Sequence, residues 1–455
     1  MNNPANMTPE ERKAQMRTAM FSVTRLQAGM MLWFVGIGLH FVLLPAAGLV
    51  VLQLPPLAFA SLYAASLLAM LVVMPMGWKK GKIKKKDQDK KQGKPASSSW
   101  APRLWRNLMG VGLLLTAALA VLLWQNLLSL PLMLAYCALF AALATFFSPL
   151  RDALTHAGGS DIARSLLSLL LLKQASYKRM KYTTIRAMVL PYVAQALGFA
   201  LAGATAWLPY VWLLPLAQTG LWLGGVGVLY NAPRVRPLGM FHHKEEDGSL
   251  RYPEGFGGSL AATRYSAPKV YPMLLVNLGM GLFIVSPFLL LTPYLLLAAG
   301  GDLAMLAALN LAFWGGVMLT TGWMLYRPLT LFRGLNLCVT VWVSCGALFL
   351  VPLIADNMPA LLGVCAVWGL INGSIFVNCR TLLQVYSPAG TWHRIIQVYH
   401  WLFLLGALVG TLGCAVLLDA SAARLSSTAS QVSTLGALAM ALTVLVLALP
   451  LIRKR

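Results

Sequence analysis

The stretch SIFVNCRTLLQVYSPAGTWHRIIQVYHWLFLLGALVG, residues 374–410, decides how the whole chain folds. An apolar run closes on Asn378-Cys379-Arg380, a short polar loop follows, and a second apolar run opens with Gln397, Tyr399 and His400. A bilayer core about 30 Å thick needs about 20 apolar residues per crossing helix, and each run is that long. The loop between them carries Arg380 and Arg394, and basic residues next to spans stay on the cytoplasmic side. The stretch therefore reads as two membrane helices joined by an inner loop.

The rest of the chain repeats this pattern. Its 455 residues are 58% hydrophobic and 11% charged, with mean hydropathy +0.71. A soluble domain is about half apolar and about a quarter charged. Twelve runs are long and apolar enough to span: 28–50, 54–77, 107–125, 127–147, 185–207, 209–230, 270–295, 303–325, 334–354, 358–379, 395–418 and 431–452. They lack the short alternating pattern of a membrane β-barrel, and lipid leaves helices as the other way to satisfy the backbone. The expected class is an all-α polytopic membrane protein with twelve transmembrane helices. Residues 1–24 are polar and the first run is long enough to stay in the bilayer, so no cleavable signal is expected. The cysteines at 137, 338, 345, 365, 379 and 414 fall in or beside spans, without zinc-site spacing, and read as small packing residues.

A net charge of +23 invites a nucleic-acid reading, but its placement points to topology instead. With the N-terminus inside, 35 of the 36 Lys and Arg residues fall in inner segments; only Arg424 falls outside. Both termini are expected in the cytoplasm, and no nucleic-acid partner is expected. The organisation is a cytoplasmic segment 1–24, a six-helix half 25–230, a cytoplasmic loop 231–269 and a second six-helix half 270–452. The basic run Lys79–Lys94 is a candidate contact for anionic lipid, at about 1 kcal/mol per basic residue near the surface, and otherwise a solvated linker that fixes topology. His242 and His243 beside Glu245 and Glu246 cannot easily converge on one metal ion and read as a polar loop.

The halves echo each other. The fourth span ends FFSPLRDAL (146–154) and the tenth ends IFVNCRTLL (375–383), with Arg151 and Arg380 just inside. Each is followed by a long span with paired glycines, GFALAG (198–203) and GALVG (406–410). The first half carries about 20 additional residues there, with 162–172 expected as a helix on the inner surface. In topology, and in the pattern Arg380, Leu383-Gln384, Ser387-Pro388, His393-Arg394 before a glycine-rich span, the chain resembles the major facilitator superfamily of secondary transporters. It is similar within it to lysophospholipid transporters and enterobactin-type exporters. The loops 74–86 and 322–334 keep the superfamily's glycine and basic residues (Gly77, Lys80, Gly81, Lys82; Arg327, Arg333) but lack its gating Asp.

No Asp or Glu lies inside an expected span, which argues against proton coupling through a buried carboxylate. His40 and His400 are the histidines placed to substitute. The remaining polar inventory of the spans is Tyr192, Gln195, Asn277, Asn310, Asn372 and Gln397. Tyr192 and Gln195 share a helix face, as do Gln397 and His400. The resemblance implies that the spans bearing these residues line the cavity or the half-to-half interface. They are candidate cavity residues, and equally candidates for interhelical hydrogen bonds. Arg151, Asn378, Arg380 and Arg394 are candidates for gating or headgroup contact.

No Walker loop, HExxH motif or triad is present, so no enzyme and no cofactor is expected. The expected function is a secondary transporter working by alternating access in a bacterial inner membrane. Its partners would be membrane lipids and a small amphipathic or apolar substrate. A lysophospholipid flippase and a non-transporting membrane scaffold are the alternatives, the second motivated by the missing gating Asp.

Overall fold

The computed structural model describes residues 28–76, 100–146, 191–205, 210–230, 270–298, 301–326, 357–386 and 392–421. The expected spans 334–354 and 431–452 lie outside them, as do 1–24, the surface helix 162–172, Lys79–Lys94 and the loop 231–269. Each of the ten other expected spans is helical: α1 (Ala28–Val51), α2 (Pro56–Met76), α3 (Trp100–Trp124), α4 (Leu130–Phe146), α5 (191–205), α6 (Leu213–Tyr230), α7 (271–298), α8 (Leu303–Tyr326), α9 (Met358–Tyr386) and α10 (Trp392–Ser421). Among the described residues, seven helices are long and apolar enough to cross a membrane. Every regular element among the described residues is helical, and the chain is a multi-pass membrane protein.

Two helices depart from regular α geometry. The last turn of α1, Ala46–Val51, is a π-turn that follows Pro45. In α7 a π-turn at Gly281–Val285 separates Tyr271–Met280 from Ser286–Ala298, just ahead of Pro287. In α7 the proline has no N–H and its ring crowds the preceding turn, so the ladder widens locally instead of breaking. Helix α9 runs seven residues past the expected end at 379, to Tyr386. Arg380 therefore sits within a helix.

Lipid offers no hydrophobic drive between helices, so close packing falls to small residues. A Cβ on Gly38 of α1 would strike the Gln195 carbonyl of α5, and one on Gly198 would strike the Val35 carbonyl. Helices α7 and α10 meet likewise at Gly281 and Gly406, and α8 and α9 at Gly316, Gly369 and Gly373. In the last pair, Phe313 faces Gly369 and Val317 faces Gly373, so α8 and α9 run parallel. Hydroxyls reinforce these contacts. Ser66 Oγ of α2 donates to the Cys137 carbonyl of α4 (3.4 Å), Thr320 Oγ1 of α8 to the Leu370 carbonyl of α9 (2.8 Å), and Thr219 Oγ1 of α6 to Thr116 Oγ1 of α3 (2.9 Å). Helix α2 packs along α10, and α5 approaches α8, where Gly203 has Ala307 Cβ at ordinary contact distance.

Candidate functional site

The centre of the molecule lies where α1, α2 and α5 face α7, α8 and α10. Trp314 of α8 is its hub. Its ring has Tyr192 at 5.5 Å, Phe41 at 6.2 Å and Phe199 at 6.5 Å, all from the first six helices. Tyr192, Gln195 and Phe199 fall three and four residues apart on α5, hence on one face. Aromatic pairs at these separations add about 0.5–1.5 kcal/mol each beyond area burial.

One turn from Trp314, Asn310 borders a crevice of about 10 Å³, room for about one water. Phe41 and Tyr63 form one wall; Phe288, Thr292, Leu306 and Asn310 form the other. Thr292 is 3% exposed, and its Oγ1 has no hydrogen-bond partner among the described residues; neither has Nε1 of Trp314. Gln195 is buried with Oε1 unpartnered. Orphaned polar atoms in an apolar setting are costly, so three within one aromatic seam mark a place that a polar group can improve.

At another point of the centre, Arg380 of α9 is 7% exposed, the only charged side chain buried among the described residues. Tyr399 of α10 is buried and lies within electrostatic reach of Arg380, Cys379 and Tyr192. Asn277 of α7 ties into the same place, its Nδ2 donating to the Tyr399 carbonyl at 2.5 Å.

The structure sorts the sequence candidates. Tyr192 and Arg380 meet around Tyr399, while Gln195 and Asn310 flank the Trp314 seam. Asn277 is an interhelical tie. Asn310 and Asn372 each donate to a carbonyl one turn back on their own helix, Leu306 and Trp368, both at 2.9 Å. His40 is apart from these: it stacks on Phe140 (4.1 Å), with Tyr136 Oη 3.4 Å from its Nδ1, inside a ring stack that continues to Trp222 and Trp33. His400 is half-buried and edge-on to Tyr399, and Gln397 is half-buried. Asn378 and Arg394 lie on α9 and α10 with side chains outside the description, and Arg151 is outside the described residues. The aromatic hub was not expected from sequence, because a tryptophan in an apolar run looks like any other core residue. Gln218 was also missed: it is fully buried on α6, with neither amide atom partnered among the described residues. A polar residue inside an expected span was the available signal.

No family model matches the chain, and none of the curated proteins matches it in sequence. Its fold is similar across nearly the whole length to solved transporters. The nucleoside transporter NupG aligns at TM-score 0.62 and 10% identity, covering 95% of this chain and 100% of that one. The human organic anion transporter MFSD10 aligns at TM-score 0.58 and 13% identity, covering 94% and 99%. A bacterial homologue of the iron transporter ferroportin, in its outward-facing state, aligns at TM-score 0.54 and 16% identity, covering 94% and 99%. The chain has the fold of transporters of the major facilitator type.

Proposed function

We propose that the protein is a secondary transporter that moves a small amphipathic or apolar substrate across a bacterial inner membrane by alternating access. The observation that carries the reading is the seam at Trp314: aromatic side chains of both groups of helices meet there, with few polar atoms. Such a surface suits an apolar body better than a sugar or a bare ion. The whole-length likeness to transporters supports the mode of action.

The finer architecture belongs to the same proposal: twelve helices in two six-helix repeats, with both termini cytoplasmic. Corresponding helices use corresponding devices. Glycine crossings join α1 to α5 and α7 to α10, and hydroxyl-to-carbonyl bonds join α2 to α4 and α8 to α9. The parallel run of α8 and α9 fits one further crossing between them. The basic run Lys79–Lys94 would rest on anionic lipid at the inner face.

The test is a pair of spin-label distances in a cysteine-free variant, using exposed positions. Leu57 and Met305 report the outer ends of α2 and α8; Tyr230 and Tyr271 report the inner ends of α6 and α7. A transporter shows two populations, the outer pair wide where the inner pair is narrow. A single fixed distance in both pairs, in detergent and in liposomes, refutes transport and favours a scaffold.

A further inference from the structure

Resting on the transporter reading, we infer that the substrate is an anionic amphiphile, its acidic end held at Arg380 and its apolar body laid along the Trp314 seam. The chemistry that both ends would recognise is a phosphate, carboxylate or sulfonate attached to a flat or extended apolar body.

Charge is the first argument. Arg380 is the only charged side chain buried among the described residues, so its positive charge is the strong electrostatic feature described at the centre. An ionisable group kept inside a membrane protein despite its cost marks a functional site by default. Its described electrostatic neighbour, Tyr399, is a phenol, which can donate to the same oxygens that a guanidinium grips. Arginine's planar fork suits two oxygens of one acidic group.

Continuity is the second. Tyr192 and Tyr399 link the two regions: Tyr399 lies within electrostatic reach of both Arg380 and Tyr192, and Tyr192 packs on Trp314. From Tyr192 to Phe199 along α5 is about 10 Å, and from Trp314 to Asn310 along α8 about 6 Å more, at 1.5 Å per residue. Over that length the side chains are mostly aromatic and aliphatic, with Gln195 and Asn310 at the flanks and two polar atoms without a partner among the described residues, Trp314 Nε1 and, at the crevice, Thr292 Oγ1. Both can hydrogen-bond a ligand oxygen. The crevice is narrow as described, so the body enters when the two groups of helices part.

Binding to the purified full-length protein in a neutral detergent tests this, read as tryptophan fluorescence. The probes are oleoyl-lysophosphatidylglycerol (anionic), oleoyl-lysophosphatidylcholine (zwitterionic), monoolein (neutral) and anilinonaphthalene sulfonate (a soluble aromatic anion). The anionic lipid, the sulfonate or both should bind at least about tenfold tighter than the zwitterionic and neutral probes, the worth of one charge-assisted hydrogen bond. Which of the two binds separates a lipid from a soluble source. Arg380→Ala should abolish the preference by weakening the anionic probes, and Arg380→Lys should retain part of it. Equal affinity for all four probes in the wild type overturns the inference, even where the variants do not fold. So does a preference that survives Arg380→Ala. If the label distances show both faces opening while this ranking fails, the transporter reading stands and the anionic substrate falls.

Discussion

A methyl group added at Gly406 and another at Gly413 should have opposite effects, although the two glycines lie two turns apart on the same helix. At Gly406 a Cβ would collide with the Leu278 carbonyl of α7 and come within 3.0 Å of the Leu282 nitrogen. These are backbone atoms of a helix and cannot rotate aside, so α7 and α10 must separate by about 1 Å. Overpacking of this kind costs about 1–3 kcal/mol. Separation also stretches the 2.5 Å bond from Asn277 to the Tyr399 carbonyl, and such a membrane hydrogen bond is worth about 0.6 kcal/mol. Against this, alanine is favoured over glycine in a helix by about 1 kcal/mol. The net for Gly406→Ala is a loss of about 0.5–3 kcal/mol. A Cβ at Gly413 meets nothing within 4 Å among the described residues, so Gly413→Ala should keep the propensity gain alone. The assay is thermal unfolding in detergent with a thiol-reactive dye, since Cys137, Cys365 and Cys379 are buried and react on unfolding. Gly406→Ala should melt below the wild type and Gly413→Ala at or above it. Equal midpoints for the two variants would refute the claim that backbone contact at Gly406 sets the α7–α10 distance.

Other substitutions probe the polar groups individually. Gln218→Leu removes an amide with neither atom partnered among the described residues, and should raise the unfolding midpoint, because a buried unsatisfied polar group costs about 1–3 kcal/mol; a lower midpoint would show that the amide binds something. Asn277→Leu should destabilise by about 0.6–2 kcal/mol through loss of the tie to α10, measured by the same assay; an unchanged midpoint would count against a structural role. Thr292→Val keeps the side chain's shape in the crevice wall and deletes a hydroxyl without a described partner. It should leave stability unchanged or raised while weakening binding of the oxygen-bearing probes, and unchanged probe affinities would remove Thr292 from the site.

Much of the fold was readable because membrane burial writes itself in composition. Ten expected spans fall among the described residues, and each is helical to within a few residues. The larger boundary differences are at Trp100 and Tyr386, where helices continue through polar interfacial residues beyond the apolar run. Site residues were less legible. Asn277, Asn310 and Asn372 look alike in sequence, yet one ties two helices and two satisfy their own backbone. Which of these an asparagine does depends on the rotation of its helix about its axis. Neighbouring helices set that rotation. A helix about equally apolar on every side, such as α2 or α8, carries almost no record of it in its sequence.

The contacts themselves divide into two kinds, and the division bears on mechanism. Within each group of helices, glycines let backbones touch: α1 on α5, α7 on α10, α8 on α9. Backbone-to-backbone contact leaves no side chain to re-pack, so these pairs move as units. Between the groups, α2 packs along α10, and at Trp314 the contact is made by long aromatic side chains, where the glycine described, Gly203, has only an ordinary contact with Ala307. Rings held at 5.5–6.5 Å can change rotamer and re-form on the other side of a guest molecule. Rigid pairs on either side of a re-packable aromatic seam are what rocking about a central site requires.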